Sequence, residues 1–290
     1  MSNPSLTSQP GELVENSKIL QGRVQALPKE GSGVMSSALR CLQAMELLAE
    51  DPFVYGVAEV AAALEVPRPT AHRILATLVA AGLVEQEVST RGYRLAPKAL
   101  WVGSGYLRHS ALYRAAFFPI RDLSRQVDGT VQLGVEDRDT VLFIHAVGSP
   151  PIAQSYADVG LRRPLHATAT GKVILAQWSD EQVSEYMRFR ACECTPRTIL
   201  SPEKMREELA GVREKGYAVN MEELLVGVAV LAAPVFQQDG RVAGGISVLV
   251  SAAKMTPQLE QEYVALLQEA SIRASRQLGH PTGMYRLRPH

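Results

Sequence analysis

The chain has no net charge: 30 lysines and arginines are matched by 30 aspartates and glutamates over 290 residues. No global field draws it onto nucleic acid, so any such binding must come from a local basic surface. Cysteine is scarce. Cys41, Cys192 and Cys194 are too few, and odd in number, for a disulfide framework. The pair Cys192-Glu193-Cys194 lacks the second ligand pair of a structural zinc site, and a redox role for it stays open. A charged-then-apolar leader is missing, and no apolar run approaches the roughly 20 residues that span a bilayer. The expectation is a cytoplasmic protein with no membrane partner.

Catalytic motifs are missing as well. Gly171-Lys172 resembles the end of a P-loop, but His166 stands where the loop needs glycine and Val173 where it needs Ser or Thr. Gly103-Ser104-Gly105 lacks its third glycine, because position 108 is Arg. Neither HExxH nor GxSxG occurs. His109, His145 and His166 are scattered and read as structural. No cofactor or metal is expected.

What the chain does have is length for two domains and, at 46% hydrophobic residues, material for two cores. Residues 1–34, rich in Ser, Pro, Gly and Gln, read as a flexible arm in which Lys18 and Arg23 could touch phosphates. The spacing predicts a helix over 35–50, with Leu39, Leu42, Met45, Leu48 and Ala49 buried, Ser36 or Ser37 near the cap, and Asp51-Pro52 as its end.

Residues 57–81 then read as two helices around a turn at 65–69. Val57, Val60, Ala61 and Leu64 form the buried side of the first. Ala71, Ile74, Leu75, Leu78 and Val79 form that of the second, with Pro69 suited to its first position and Gly82 to its stop. The free edge of the second helix carries Thr70, His72, Arg73 and Thr77, with Arg68 at the turn. A helical hairpin or a helix-turn-helix would both fit this pair alone. Two β-prone runs over 83–95 follow, turning at 89–92 with Arg91 at the tip and Arg94 on the return. Three helices and a hairpin make a winged helix-turn-helix. Arg68, Thr70, His72, Arg73 and Thr77 are therefore placed to face a major groove, with Arg91 and Arg94 on phosphates or the minor groove.

The spacing predicts a linker helix over 97–114, weakened at Gly103 and Gly105, with more apolar residues than a small domain can hide. Beyond Pro119 the texture is mixed. A helix is expected near 119–128, strands at 131–135, 141–147 and 152–156, then a loop entering a helix over 165–178. Helices follow at 180–188 and 202–215, strands at 217–220, 228–236 and 241–250, and a long helix at 258–278. Short turns between the strands predict an α+β domain with a largely antiparallel sheet. The domains are then 35–96, 97–114 and 115–279, with a tail at 280–290. In the loop of small residues before Lys172, backbone N–H groups at 168–171 could hold an anion, although a plain capped helix reads the same way. Ser247 and Leu249 share one side of their strand, opposite Val248.

Several segments in this order and spacing resemble the IclR family of bacterial transcriptional regulators over about 35–279. They are the 67–81 helix with its wing, RRPLHATATGKVILA ending at Ala176, TPRTILS at 195–201, GYAVN at 216–220 and EELLVGVAVLAAP at 222–234. The resemblance implies a winged helix, a linker helix and a GAF-like effector domain. It also implies dimers or tetramers on near-palindromic double-stranded operator DNA, with RNA polymerase a further candidate partner. By position, Ala169 and Thr170 would offer backbone N–H groups to an effector carboxylate, and Asn220, Val230, Ser247 and Leu249 would line the rest. Family members that bind the smallest keto-acids carry an acid, a thiol and two hydroxyls at those four places. This chain has an amide, two aliphatics and one hydroxyl there, a more apolar lining that suits a larger or less charged ligand such as an aromatic or alkyl acid. The rival readings are an enzyme with a cysteine nucleophile in a GAF-like domain, and a winged helix serving as a protein-interaction module.

Overall fold

The computed structural model describes residues 35–50, 54–148 and 159–281. The arm at 1–34, the Asp51-Pro52 stop, the 152–156 strand and all but the start of the tail lie outside these residues. Contacts divide the chain into two units, with the boundary between Arg108 and His109.

The first unit opens with α1 (Ser36–Leu47), α2 (Val57–Ala63) and α3 (Arg68–Ala80). In α1 the buried side is turned from the one expected. Gln43, Ala44 and Leu48 are buried, whereas Leu42 and Ala49 are exposed, and the helix begins after Met35 without a serine cap. Packing against α3 as well as α2 rotates the contact stripe toward the smaller Ala44. The core joins Ala44, Leu48, Val60, Ala61, Leu64, Ala71, Leu75 and Leu78 to Val84 and Tyr93 of the hairpin. Arg68, not Pro69, is the first residue of α3, and Val79 lies at the exposed edge. Gly82 stops α3 at φ +70°, where the amide of Leu83 reaches the carbonyl of Leu78. Strands β1 (Val84–Gln86) and β2 (Tyr93–Leu95) pair antiparallel, and Tyr55 adds a bridge to Tyr93.

Helix α4 (Pro97–His109) runs through both glycines, buries none of its residues, and leaves Leu100, Trp101, Val102 and Tyr106 exposed. The helix expected to reach residue 114 therefore stops at His109. The cause is Ser110, whose side chain accepts from the amide of Tyr113 and starts a new helix, α5 (Ala111–Leu123). This helix replaces the one expected at 119–128 and carries Pro119 inside it.

The second unit is built on β3 (Thr130–Asp137), β4 (Thr140–Val147), β5 (Arg162–Pro164), β6 (Ala218–Met221), β7 (Val228–Phe236) and β8 (Val242–Ser251). They form one antiparallel sheet in the order β5-β4-β3-β8-β7-β6. The helices α6 (Ala169–Leu175), α7 (Asp180–Arg190), α8 (Pro202–Lys215) and α9 (Pro257–Gln277) complete it. Helices α5 and α9 pack on one another and on the sheet, while α6 packs on the sheet and against α8. The two glycines of β8 face opposite sides. A Cβ on Gly244 would meet Leu112 of α5, and one on Gly245 would meet Thr170 and Val173 of α6. Pro234 lies beyond the last β6 partner of β7, so its missing N–H breaks no ladder. There α9 substitutes for a strand: Ser271 donates to the carbonyl of Pro234, and Ser275 accepts from the amide of Phe236.

Helix α6 lies so tightly on the preceding loop that a Cβ at Gly171 would stand 2.0 Å from the carbonyl oxygen of Leu165. Backbone cannot yield there, so Gly171→Ala should cost about 3 kcal/mol, roughly 6–12 °C in melting midpoint. Gly211, within α8, has open space around its Cβ direction. Gly211→Ala should therefore stabilise by about 0.5–1 kcal/mol through helix propensity. Thermal unfolding of the two variants checks both signs.

Candidate functional sites: an exposed helix edge and a buried slot

In the first unit the turn before α3 sets the helix's exposed edge. Glu65 takes a left-handed φ of +52°, and Val66 plugs into the core behind it. With Ala71, Ile74, Leu75 and Leu78 buried, Arg68, His72, Arg73 and Thr77 fall on the exposed stripe and Thr70 is half-buried. Ala76 lies among them, small enough to let another surface approach. Thr77 Oγ1 donates to the carbonyl of Arg73 at 2.8 Å, which leaves its lone pairs as the acceptors it can offer.

The two arginines of the hairpin differ. Arg91 occupies the tip at φ +60°, fixed by Gln86 Nε2 on its carbonyl and by its amide on the carbonyl of Glu87. Arg94 stands opposite Glu85 in the strand register and is ion-paired to it at 2.8 Å. Among the described residues Arg68, Arg73 and Arg91 form no ion pair. An exposed pair such as Arg94–Glu85 is worth at most about 1 kcal/mol, so it can be exchanged for a phosphate but at a discount.

The second unit holds a slot between α6 and the sheet. Thr168 precedes α6 and caps it: Oγ1 accepts from the amide of Gly171 at 3.0 Å and donates to the carbonyl of Pro164 at 3.0 Å. The amides of Ala169 and Thr170, first and second in the helix, have no acceptor within it. Val230, Leu249 and Phe143 supply an apolar lining, Leu224 and Leu225 border it from the loop after β6, and Gln132 and Arg163 add polar groups. The slot encloses about 410 Å³ out to its mouth, yet the centre of a water molecule could move through only about 30 Å³ of it. It is narrow.

Five of the six positions expected around an effector meet here: Ala169, Thr170, Asn220, Val230 and Leu249. Ser247 does not line the slot. It is wholly buried opposite Gln132 in the β3–β8 register, and the longer Gln132 side chain occupies the space. Asn220 borders the slot with its amide already engaged. Its Nδ2 donates to the carbonyl of Ala167 at 2.5 Å, and its Oδ1 accepts from the amide of Glu223. Gln132 was not anticipated, and its Nε2 is buried without a partner, as is Thr170 Oγ1. A glutamine inside the apolar run TVQLGV was the signal that could have found it.

Behind the slot Lys172, 1% exposed, donates to Glu223 at 2.6 Å, Glu208 at 2.9 Å and the carbonyl of Val219 at 3.1 Å. Burial holds Glu223 above the ordinary carboxyl range despite the pull of that ammonium.

The cysteine pair, which has no histidine near it in sequence, has one in space. His166 meets both the amide and the carbonyl of Cys192. The neighbouring Cys192 side chain, then burial, pushes the Cys194 thiol well above the ordinary thiol range.

The family model for the bacterial transcriptional regulator IclR C-terminal region matches residues 104–276, and the IclR helix-turn-helix domain matches 37–88. The HTH-type transcriptional regulator KdgR of Escherichia coli (strain K12) is 34% identical over 85% of this chain and 94% of its own. The crystal structure of an IclR transcriptional regulator from Alicyclobacillus acidocaldarius superposes with a TM-score of 0.77 at 25% identity, over 85% of this chain and all of that one. That of an IclR homolog complexed with 4-hydroxybenzoate from Microbacterium hydrocarbonoxydans has a TM-score of 0.71 at 23% identity, over 84% and 98% of the two chains. The cysteine-enzyme reading falls here, since the matching family models and KdgR are of transcriptional regulators. The chain belongs to the IclR family of bacterial transcriptional regulators, with a DNA-binding helix-turn-helix domain and an effector domain.

Proposed function

We propose that this regulator binds a near-palindromic operator as a dimer or tetramer in the cytoplasm, and that a small aromatic or alkyl acid in the slot changes that binding. The observation that carries the ligand reading is the slot itself. Its lining brings together Ala169 and Thr170, whose amides open α6, with Arg163 and the unpartnered Gln132 Nε2. A carboxylate satisfies the amides, a flat apolar body fits between Phe143, Val230 and Leu249, and a polar substituent reaches Gln132. The relative bound to 4-hydroxybenzoate carries a ligand of that kind. Because the slot is narrow, entry requires its walls to move, which links occupancy to the shape of the domain.

The DNA reading is supported by three uncompensated arginines on one module of a chain with no net charge. Arg73 and His72, with Arg68 and Thr70 at the leading end, would enter the major groove while Arg91 holds phosphate. One copy offers few charges, so two must act together.

Arg73→Ala should lower specific affinity by about 1–3 kcal/mol and leave the oligomer intact. Arg91→Ala should weaken all sequences alike and flatten the salt dependence by about one unit of slope, and Arg94→Ala should do less, being partnered by Glu85. Titrations of operator and random duplex at several salt concentrations check these; full specific binding by Arg73→Ala would remove α3 from the groove. For the slot, a thermal-shift screen of aromatic and alkyl acids should find a stabilising ligand. Gln132→Leu should abolish that shift without lowering the melting point of the free protein, since it removes an unsatisfied buried amide.

A further inference from the structure

His166 and the two cysteines come from separate segments. His166 lies in the loop between β5 and α6, and Cys192 and Cys194 lie in the irregular stretch between α7 and α8. The fold brings one ligand atom from each to within 4.8 Å of the others. Tyr186 of α7 fastens the two segments, its hydroxyl accepting from the amides of Leu165 at 2.9 Å and His166 at 3.4 Å. The same hydroxyl lies 3.1 Å from His166 Nδ1, and His166 Nε2 lies 2.9 Å from the carbonyl of Cys192.

We propose that His166, Cys192 and Cys194 form a binding site for a thiophilic metal ion of the zinc class. One imidazole nitrogen and two sulfurs are a soft donor set that selects such ions over magnesium or calcium. Around zinc, tetrahedral bond lengths place nitrogen and sulfur ligands roughly 3.3–3.8 Å apart, so the site must contract by about 1 Å. Cys192 and Cys194 are half-buried in irregular chain and can make that move; His166, wholly buried, stays in place. Tyr186 at Nδ1 is the outer partner that a metal-bound imidazole needs, which leaves Nε2 for the ion once the carbonyl and the amide of Cys192 move off it.

The step is an exchange of protons for metal: two thiols lose two protons to solvent, two sulfur–metal bonds and one nitrogen–metal bond form, and nothing is oxidised or reduced. A water molecule takes the fourth position. The ion would tie the stretch after α7 to the loop whose next residues, Ala167 and Thr168, border the slot. Metal would thereby fix one wall of the slot. The site itself stands whether or not the slot takes an organic acid.

The test is titration of the reduced, metal-free full-length protein with zinc alone and with cobalt(II). Binding of one ion per chain, release of about two protons, a tetrahedral cobalt spectrum with a sulfur-to-cobalt charge-transfer band, and a raised melting point are the expected results. Magnesium should do none of these. Zinc should also protect Cys192 and Cys194, but not Cys41, from alkylation mapped by mass spectrometry, a readout that requires no variant to fold. The Cys192→Ser, Cys194→Ser double variant should bind at least about 100-fold more weakly, with Cys41→Ser unchanged. Absence of one-to-one binding, binding that survives the double variant, or equal alkylation with and without zinc would overturn the proposal.

Discussion

The second domain depends on one buried cation. Lys172 enters the interior from α6 and finds its partners on three other pieces of chain: Glu208 on α8, Val219 on β6, and Glu223 on the loop beyond it. Removing the ammonium would strand the buried Glu223 carboxylate, while Glu208, a third exposed, could turn to water; breaking a buried pair of this kind costs about 3–5 kcal/mol. Its partners are also the supports of the slot. Glu223 gives its amide to Asn220, and Asn220 holds the carbonyl of Ala167, so the loop wall and the helix wall are fixed through one network. Gly171, at the next position, lets α6 lie against Leu165 closely enough for Lys172 to reach.

The network ties the loop before α6, α6 itself and the β6–β7 connection together, so none of them can shift alone. A ligand that merely fits the closed slot shifts nothing; it must favour one arrangement of the loop, α6 and the β6–β7 connection over another. Gln132, Thr170 and Ser247 each bury a side-chain polar atom without a hydrogen-bond partner. An occupant that bonds Gln132 removes part of the cost of that burial, and this is a physical source for the preference a ligand must express.

Much of this was legible in the chain. Periodicity and punctuation gave α2, α3 and the wing, because each of their buried faces is packed by immediate sequence neighbours. The β-prone runs joined by short polar turns gave the sheet, and the small-residue loop before Lys172 gave the slot's helix end. Tertiary effects hid the rest. The turn of α1 about its axis depends on what α3 presents to it, so Ala44 took the place expected for Leu42. A single hydroxyl, Ser110, divided an apolar stretch that reads as one helix. The three-residue strand β5 is too short to carry a pattern. Ser247 was displaced from the slot by a longer neighbour across the sheet, and His166 meets Cys192 across 26 positions that no local spacing connects.

The central claim is that a neutral chain reads DNA through a small number of unpaired arginines presented twice. The most direct measurement is the slope of log affinity against log salt concentration for the full-length protein on the operator nearest its own gene. Three arginines from each of two copies limit that slope to about −5. A value between about −2, for Arg91 of each copy on phosphate, and about −5, with Arg68 and Arg73 adding their charge, agrees with these residues as the contact set. A slope near zero, or one approaching −10, would contradict it, the first by removing phosphate contact and the second by requiring a basic surface that these residues do not supply.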